Sequence, residues 1–243
     1  MTRSAGSGEE LESFDVRLLD PPYDVPAYRS TTRRAPSHAP LVLPPSEADE
    51  LGPVFGDRAV GPTDHDLTAQ HPGEPLGQRI SIEGQLLDTR GHPIAGQLIE
   101  VWQANSAGRY HHAVDTHPAP LDPNFTGYGR CLTDADGRYR FVTIRPGAYP
   151  WGNHPNAWRP AHVHFSVFGR AFTQRLVTQM YFPDDPLIGY DAIFNAVTVP
   201  EARASMMASF DLRRTEPQRT LGYLFDIVVG GPGVGAATGG GTR

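Results

Sequence analysis

Arg79-Ile80-Ser81-Ile82-Glu83-Gly84-Gln85-Leu86 sets Ile80, Ile82, Gly84 and Leu86 in alternation with Ser81, Glu83 and Gln85. Successive side chains of an extended chain point to opposite faces, so this period of two predicts a strand with one face on a core. A turn containing Asp88, Gly91 and Pro93 follows, and Gln97–Gln103 reads as a second strand. Cys131–Thr133 and Tyr139–Ile144, joined through Asp134-Ala135-Asp136-Gly137, read as a tight hairpin. Further strands are expected at His162–Phe168, Leu176–Phe182 and Leu224–Val229. The main helix candidate is Glu201–Phe210, with Pro200 at a first-turn position. The 26 Gly and 24 Pro residues supply the turns that such a chain needs. The expected fold is all-β, a β-sandwich with long loops and very little helix.

Residues 1–75 carry eleven prolines, from Pro21 to Pro75, and no sustained periodicity. Phe14, Tyr23, Tyr28, Leu41, Val42, Leu43, Leu51 and Phe55 argue against a purely solvated tail, so this stretch is expected to be an arm packed on a partner subunit. Residues 76–230 form the expected sandwich, and the Gly-rich residues 231–243 a mobile tail. The net charge of -6 is modest and the basic residues are scattered, which points away from nucleic acid and anionic membranes as partners. Met1–Glu10 lacks a basic segment followed by an apolar one, and no run approaches the roughly 20 apolar residues of a bilayer span. A cytoplasmic protein is the expectation. The single cysteine, Cys131, excludes an intrachain disulfide and any multi-cysteine metal site. A buried structural thiol is the expected role for it.

The sharpest chemical feature is Arg159-Pro160-Ala161-His162-Val163-His164-Phe165. Residues i and i+2 of a strand share a face, so the imidazoles of His162 and His164 point the same way and are able to reach one metal ion. Two histidines lining a polar cleft are the alternative. Tyr149 lies in Pro146-Gly147-Ala148-Tyr149-Pro150-Trp151, where Pro and Gly favour a loop; a packing role is the plainer reading of such a tyrosine. Gly108-Arg109-Tyr110-His111-His112 follows the strand carrying Trp102, and His111 and His112, as chain neighbours, point apart. Asp64-His65-Asp66-Leu67 resembles a ligand cluster, but carboxylates that cap or bridge backbone are the preferred reading. Nucleophile-elbow, phosphate-loop and dinucleotide fingerprints are absent.

Taken in order, these segments resemble the intradiol ring-cleavage dioxygenases. The similarity runs from about Pro26 to Val229. It includes Asp64–Leu67, Gly91-His92-Pro93-Ile94, Glu100–Asn105, Gly108–Tyr110, Ala119–Phe125, Gly129–Asp134, Trp158–Phe165 and Thr178–Phe182. Catechol and hydroxyquinol members carry a helical N-terminal dimerisation region. The Pro-rich arm is instead similar to the iron-bearing chain of members that pair it with a homologous iron-free alpha chain. The resemblance implies a hetero-oligomer with such an alpha subunit and one non-haem Fe(III) per chain. It also implies ring opening of a catecholic substrate by O2 between its two hydroxylated carbons. By position, Tyr110, Tyr149, His162 and His164 match the iron ligands, Tyr149 as the axial tyrosine. Arg159 and Gln179 match residues beside the bound substrate, and Tyr28, Trp151 and Ile193 match pocket-lining positions.

The implied donor set suits ferric iron. Ionising a phenol of pKa near 10 at pH 7 costs about 4 kcal/mol, and a strong Lewis acid is needed to offset this for two tyrosines at once. Zinc sites seldom use tyrosine. The plain alternative for Arg159 is a salt bridge that holds its loop. At the level of the whole chain, Gly91–Gly96 and Thr133–Phe141 also occur in transthyretin-like β modules, so a metal-free binding domain is the competing reading.

Overall fold

The computed structural model describes residues 21–38, 60–153, 158–169 and 175–230. Eleven strands are formed among them: β1 (Arg79–Asp88), β2 (Leu98–Trp102), β3 (Tyr128–Leu132), β4 (Arg138–Ile144), β5 (Tyr149–Pro150), β6 (Trp158–Arg159), β7 (His162–Phe168), β8 (Arg175–Tyr181), β9 (Ser209–Phe210), β10 (Leu221–Leu224) and β11 (Ile227–Val229). Helix among the described residues is limited to α1 (Thr31–Arg34), α2 (Ala192–Ala196), α3 (Pro200–Ala204) and single 3-10 turns. Among the described residues no helix is long and apolar enough to cross a membrane.

The strands make two sheets and a ribbon. β1 pairs antiparallel with β4, and parallel with β10 at Ile80–Glu83 and with β11 at Leu86–Asp88; β9 adds to β10. The second sheet has the order β3-β2-β7-β8, antiparallel throughout, and β5 pairs with β6 alone. Ile80, Ile82, Leu86 and Phe141 of the first sheet join Ile99, Val101, Val163, Phe165, Val167 and Met180 of the second in one core. The alternation of β1 thus does what its sequence requires. Cys131 lies in the same core, where burial pushes its thiol up to about 12.

Three expectations are corrected. Ser81, on the polar side of the alternation, is buried, because its register partner Gly222 lets the backbone of Arg214 lie close over the sheet. The strand expected over Leu224–Val229 breaks at Phe225–Asp226. There the Phe225 carbonyl presses on Gly84, where a Cβ would sit 1.9 Å away, and accepts a hydrogen bond from Tyr139 Oη. The Asp226 side chain replaces the ladder by accepting from the Gln85 amide at 2.8 Å. The helix expected over Glu201–Phe210 stops at Ala204, because the following backbone pairs with the end of β8. Tyr181 N donates to Met206 O (2.8 Å) and Ala208 N to Tyr181 O (2.9 Å).

Residues 60–75 run along the sandwich of this same chain. Leu67 is fully buried in the core and its amide donates to Val142 O at 2.9 Å. The rest of the expected arm, apart from residues 21–38, lies outside the described residues, as does the tail from 231.

Candidate metal centre

The second sheet turns Val163, Phe165 and Val167 of β7 toward the core, so His162 and His164 face outward beneath the loops. Register then builds a cluster. His164 stands opposite Trp102 of β2 and Gln179 of β8, while His162 stands opposite Tyr181. The indole of Trp102 stacks on the His164 ring, with centroids 4.7 Å apart and planes 4° from parallel. Tyr149 of β5 pairs with Arg159 of β6, which brings the phenol and the guanidinium to the same place.

Tyr110 arrives on the loop after β2, shaped by Asn105. The Asn105 side chain accepts from the amides of Ala107 and Arg109, both at 2.9 Å, and its carbonyl accepts from Gly108 and Gly147. Gly108 has φ +78, and a Cβ there would lie 2.2 Å from the Ala148 carbonyl oxygen. This close approach joins the Tyr110 loop to the Tyr149 segment. Gly108→Ala is therefore expected to lower stability by about 2–3 kcal/mol, through both backbone strain and overpacking. An unchanged urea midpoint would show that the two segments need no such contact.

Tyr149 Oη lies 3.3 Å from His162 Nε2, which lies 3.2 Å from His164 Nε2. The Tyr110 ring meets that of Tyr149 edge-on at 5.3 Å and lies 6.4 Å from the ring of His164. Two donors each about 2.1 Å from one ion and separated by a right or tetrahedral angle lie roughly 3.0–3.4 Å apart, which these spacings match. His162 donates from Nδ1 to the Pro160 carbonyl at 2.8 Å, so its Nε2 carries the lone pair. Burial, then the Arg159 charge, then His164 hold His162 well below the usual imidazole range. Burial and Arg159 lower His164 to about 3. Both rings are thus neutral, the form in which an imidazole is able to bind a metal. Tyr110 Oη is buried without a well-formed hydrogen bond, and burial with the neighbouring Tyr149 phenol raises its pKa well above 10. A hard cation reverses that condition by binding the phenolate, and two imidazoles with two phenols suit ferric iron. Among the described residues no group of three or more His, Cys, Asp or Glu is placed to hold a metal, so a centre here draws on the tyrosines.

Arg159 is buried beside this cluster. Its Nη1 lies 3.1 Å from His162 Nε2 and 3.4 Å from Tyr149 Oη, and its Nη2 donates to Gln179 Oε1 at 2.6 Å. It is also salt-bridged to Asp191 at 2.8 Å, the kind of contact that holds a loop. Trp151 lies under the guanidinium at 5.4 Å and meets Tyr28 edge-on at 4.7 Å, which brings residues 21–38 to the edge of the site. Ile193 stands instead with Gln179 in the lining of a groove of about 340 Å³. His111 and His112 are exposed and apart from the cluster. Asp64 accepts from Arg130 (2.8 Å) and from the Gly61 amide (3.0 Å), and Asp66 from the Thr68 amide (2.9 Å). Those carboxylates brace the loop.

Sequence reasoning gave no role to Asp191, Tyr181, Trp102 or Asn105 in this cluster. An Asp ahead of the apolar Ala192–Ala196 run is a legible N-cap signal, and Tyr181 shares a strand face with Gln179. What each of them touches depends on strand register.

Residues 51–231 match the family described as Dioxygenase. Over 213 residues the chain is 57% identical to the protocatechuate 3,4-dioxygenase beta chain of Burkholderia cepacia, covering 87% of this chain and 90% of that one. The chain belongs to the intradiol dioxygenase family. Among other members, the protocatechuate 3,4-dioxygenase alpha chain of Pseudomonas putida is 30% identical over 65% of this chain and 74% of its own length. The crystal structure of 3-chlorocatechol 1,2-dioxygenase from Rhodococcus opacus 1CP superposes with a TM-score of 0.55 at 26% identity, covering 70% of this chain and 66% of that one. Intradiol dioxygenases cleave catechols with O2 and in general depend on non-haem iron. Membership sets aside the transthyretin-like binding module as a reading of the chain.

Proposed function

We propose that this chain cleaves protocatechuate (3,4-dihydroxybenzoate) with O2 to 3-carboxy-cis,cis-muconate, as the iron-bearing partner of a homologous alpha chain. The observation that carries this reading is the convergence of Tyr110, Tyr149, His162 and His164 beside a buried Arg159, in a chain 57% identical to a protocatechuate 3,4-dioxygenase beta chain. The alpha chains of such enzymes are themselves relatives of this one, which supports a hetero-oligomer of two related sandwiches.

In this reading Tyr110, Tyr149, His162 and His164 hold Fe(III). When bound, ferric iron would supply the Lewis acidity that stabilises a catechol as its dianion, the form whose ring is electron-rich enough to react with O2. The residues of the chain do the rest. Tyr149 Oη takes up one of the two hydroxyl protons that the substrate must lose, as general base, and the second passes to solvent. Arg159, which cannot lose its own proton near neutral pH, places a fixed positive charge beside the ring and stabilises the negative charge that develops there as O2 attacks. Gln179 Oε1 accepts from Arg159 Nη2, so its amide nitrogen is the group left to orient the substrate. Trp151 and Tyr28 wall the aromatic substrate, and residues 21–38 help to exclude water.

The test is a visible spectrum and an iron determination on one purified sample, followed by turnover with isotope-labelled O2. About one iron per chain with a broad tyrosinate charge-transfer band is expected, as four donors to one ion require. Both labelled oxygen atoms are expected in the ring-opened acid. A protein that stays colourless and iron-free after reconstitution with iron and the alpha chain would sink the proposal. Turnover of unsubstituted catechol in preference to protocatechuate would reassign the substrate alone.

A further inference from the structure

Arg159 has five N–H donors in a planar fork, and which of them faces the substrate depends on what grips the others. The Asp191 carboxylate takes the rear of that fork. Its Oδ1 accepts from Nε at 3.3 Å and its Oδ2 from Nη2 at 2.8 Å, which leaves Nη1 turned toward Tyr149 Oη and His162 Nε2. Two further donors complete the carboxylate. Tyr181 Oη lies 2.8 Å from Oδ2, and the Ile193 amide donates to Oδ1 at 3.1 Å as the N-cap bond of α2. All four lone-pair directions of one carboxylate are therefore used, in a site where the Arg159 and Asp191 side chains are 3% and 0% exposed.

Resting on the reading of Arg159 given above, we infer that Asp191, backed by Tyr181, is a positioning residue for the reaction: it fixes the direction of the Arg159 guanidinium and ties it to the helix that carries Ile193. The chemistry requires such a tether. A flexible arginine beside a catechol has to be reoriented as charge develops, whereas a gripped one is already aligned, and preorganisation is what makes electrostatic stabilisation effective. Water cannot take over this task at a carboxylate that is wholly buried. Tyr181 is fully buried beside His162, with ring centroids 5.9 Å apart. Its hydroxyl holds the second oxygen of Asp191 in place and accepts from Arg159 Nη2 at 3.0 Å.

Asp191→Asn keeps a side chain able to cap α2 but sets an NH2 group against two of the four donors. In the full chain, iron-loaded and assembled with its alpha partner, this substitution is expected to lower kcat on protocatechuate about 10- to 100-fold, the range for a hydrogen bond to a charged group. Iron content and the visible band should be retained. The decisive readout is the same change in an Arg159→Met background, with kcat expressed per iron. There Asp191→Asn should alter kcat by less than about threefold, because a residue that acts through Arg159 has nothing left to act on. Equal losses in both backgrounds would assign Asp191 a merely structural part in the loop and overturn the inference, as would full kcat in Asp191→Asn alone. Full turnover by Arg159→Met itself would overturn the reading of the site, and the tether with it. Should Asp191→Asn fail to fold, Tyr181→Phe decides in the same way, since it removes one hydroxyl and keeps the ring. A loss of about 3- to 10-fold beside Arg159 and none beside Met is expected, and an unchanged kcat beside Arg159 would overturn the tether.

Discussion

Tyr110→Phe is expected to leave the fold as stable as before, or slightly more so, while the protein retains less than about a tenth of its iron and of its turnover. The two halves of this expectation come from one observation. Tyr110 Oη is buried without a well-formed hydrogen bond, so an ordinary core tyrosine at this position gains from losing its hydroxyl. A ligand tyrosine shows the opposite in every readout that depends on iron. Burial already raises this phenol's pKa well above 10, and only a bound cation makes its ionised form favourable. Iron analysis after dialysis against a chelator, with urea unfolding of the same samples, separates the two cases. An iron-replete Tyr110→Phe with unchanged kcat would remove Tyr110 from the centre. His162→Ala is a harsher companion. It deletes a ring that is 1% exposed, so a stability loss accompanies the loss of iron and the phenylalanine variant is the cleaner measurement.

Arg159→Met is expected to keep iron and lower kcat about 10²- to 10³-fold, the range found when one preorganised group facing a developing negative charge is removed. None of the proposed iron ligands is altered, so the visible band should persist while turnover fails. The variant should also unfold more readily, by about 3–5 kcal/mol, because Asp191 is left as an unpaired charge in a buried place. This stability loss is the part owed to the salt bridge, and the kcat loss per iron is the part owed to the site. Steady-state kinetics normalised to iron keep them apart. If an iron-loaded Arg159→Met retained kcat within about threefold of the parent, the guanidinium would be a structural tie and nothing more.

The sandwich was legible because periodicity is a local property. Ile80, Ile82 and Leu86 alternate in the sequence and are buried in the structure, and the His-x-His of β7 had to share a face for the same reason. Where local pattern failed, a distant segment had taken over the hydrogen bonds. The backbone of Met206–Ala208 left the helical pattern to pair with Tyr181, and Asp226 broke a strand by offering its side chain to Gln85.

By itself the sequence determined the β architecture, the shared direction of His162 and His164, and, through the order of its motifs, a resemblance to a family that residues 51–231 match. Spacing and propensity alone left Tyr110 and Tyr149 as packing residues, and it was the resemblance that implied their company with those histidines. How the rings come together is a matter of the tertiary structure, through Gly108 packed on the Ala148 carbonyl and through the β5–β6 pairing that sets Tyr149 opposite Arg159. It alone drew Asp191 and Tyr181 beneath the guanidinium. The physical reason is that alternation fixes which way a side chain points, while register and loop closure between distant segments fix what it meets.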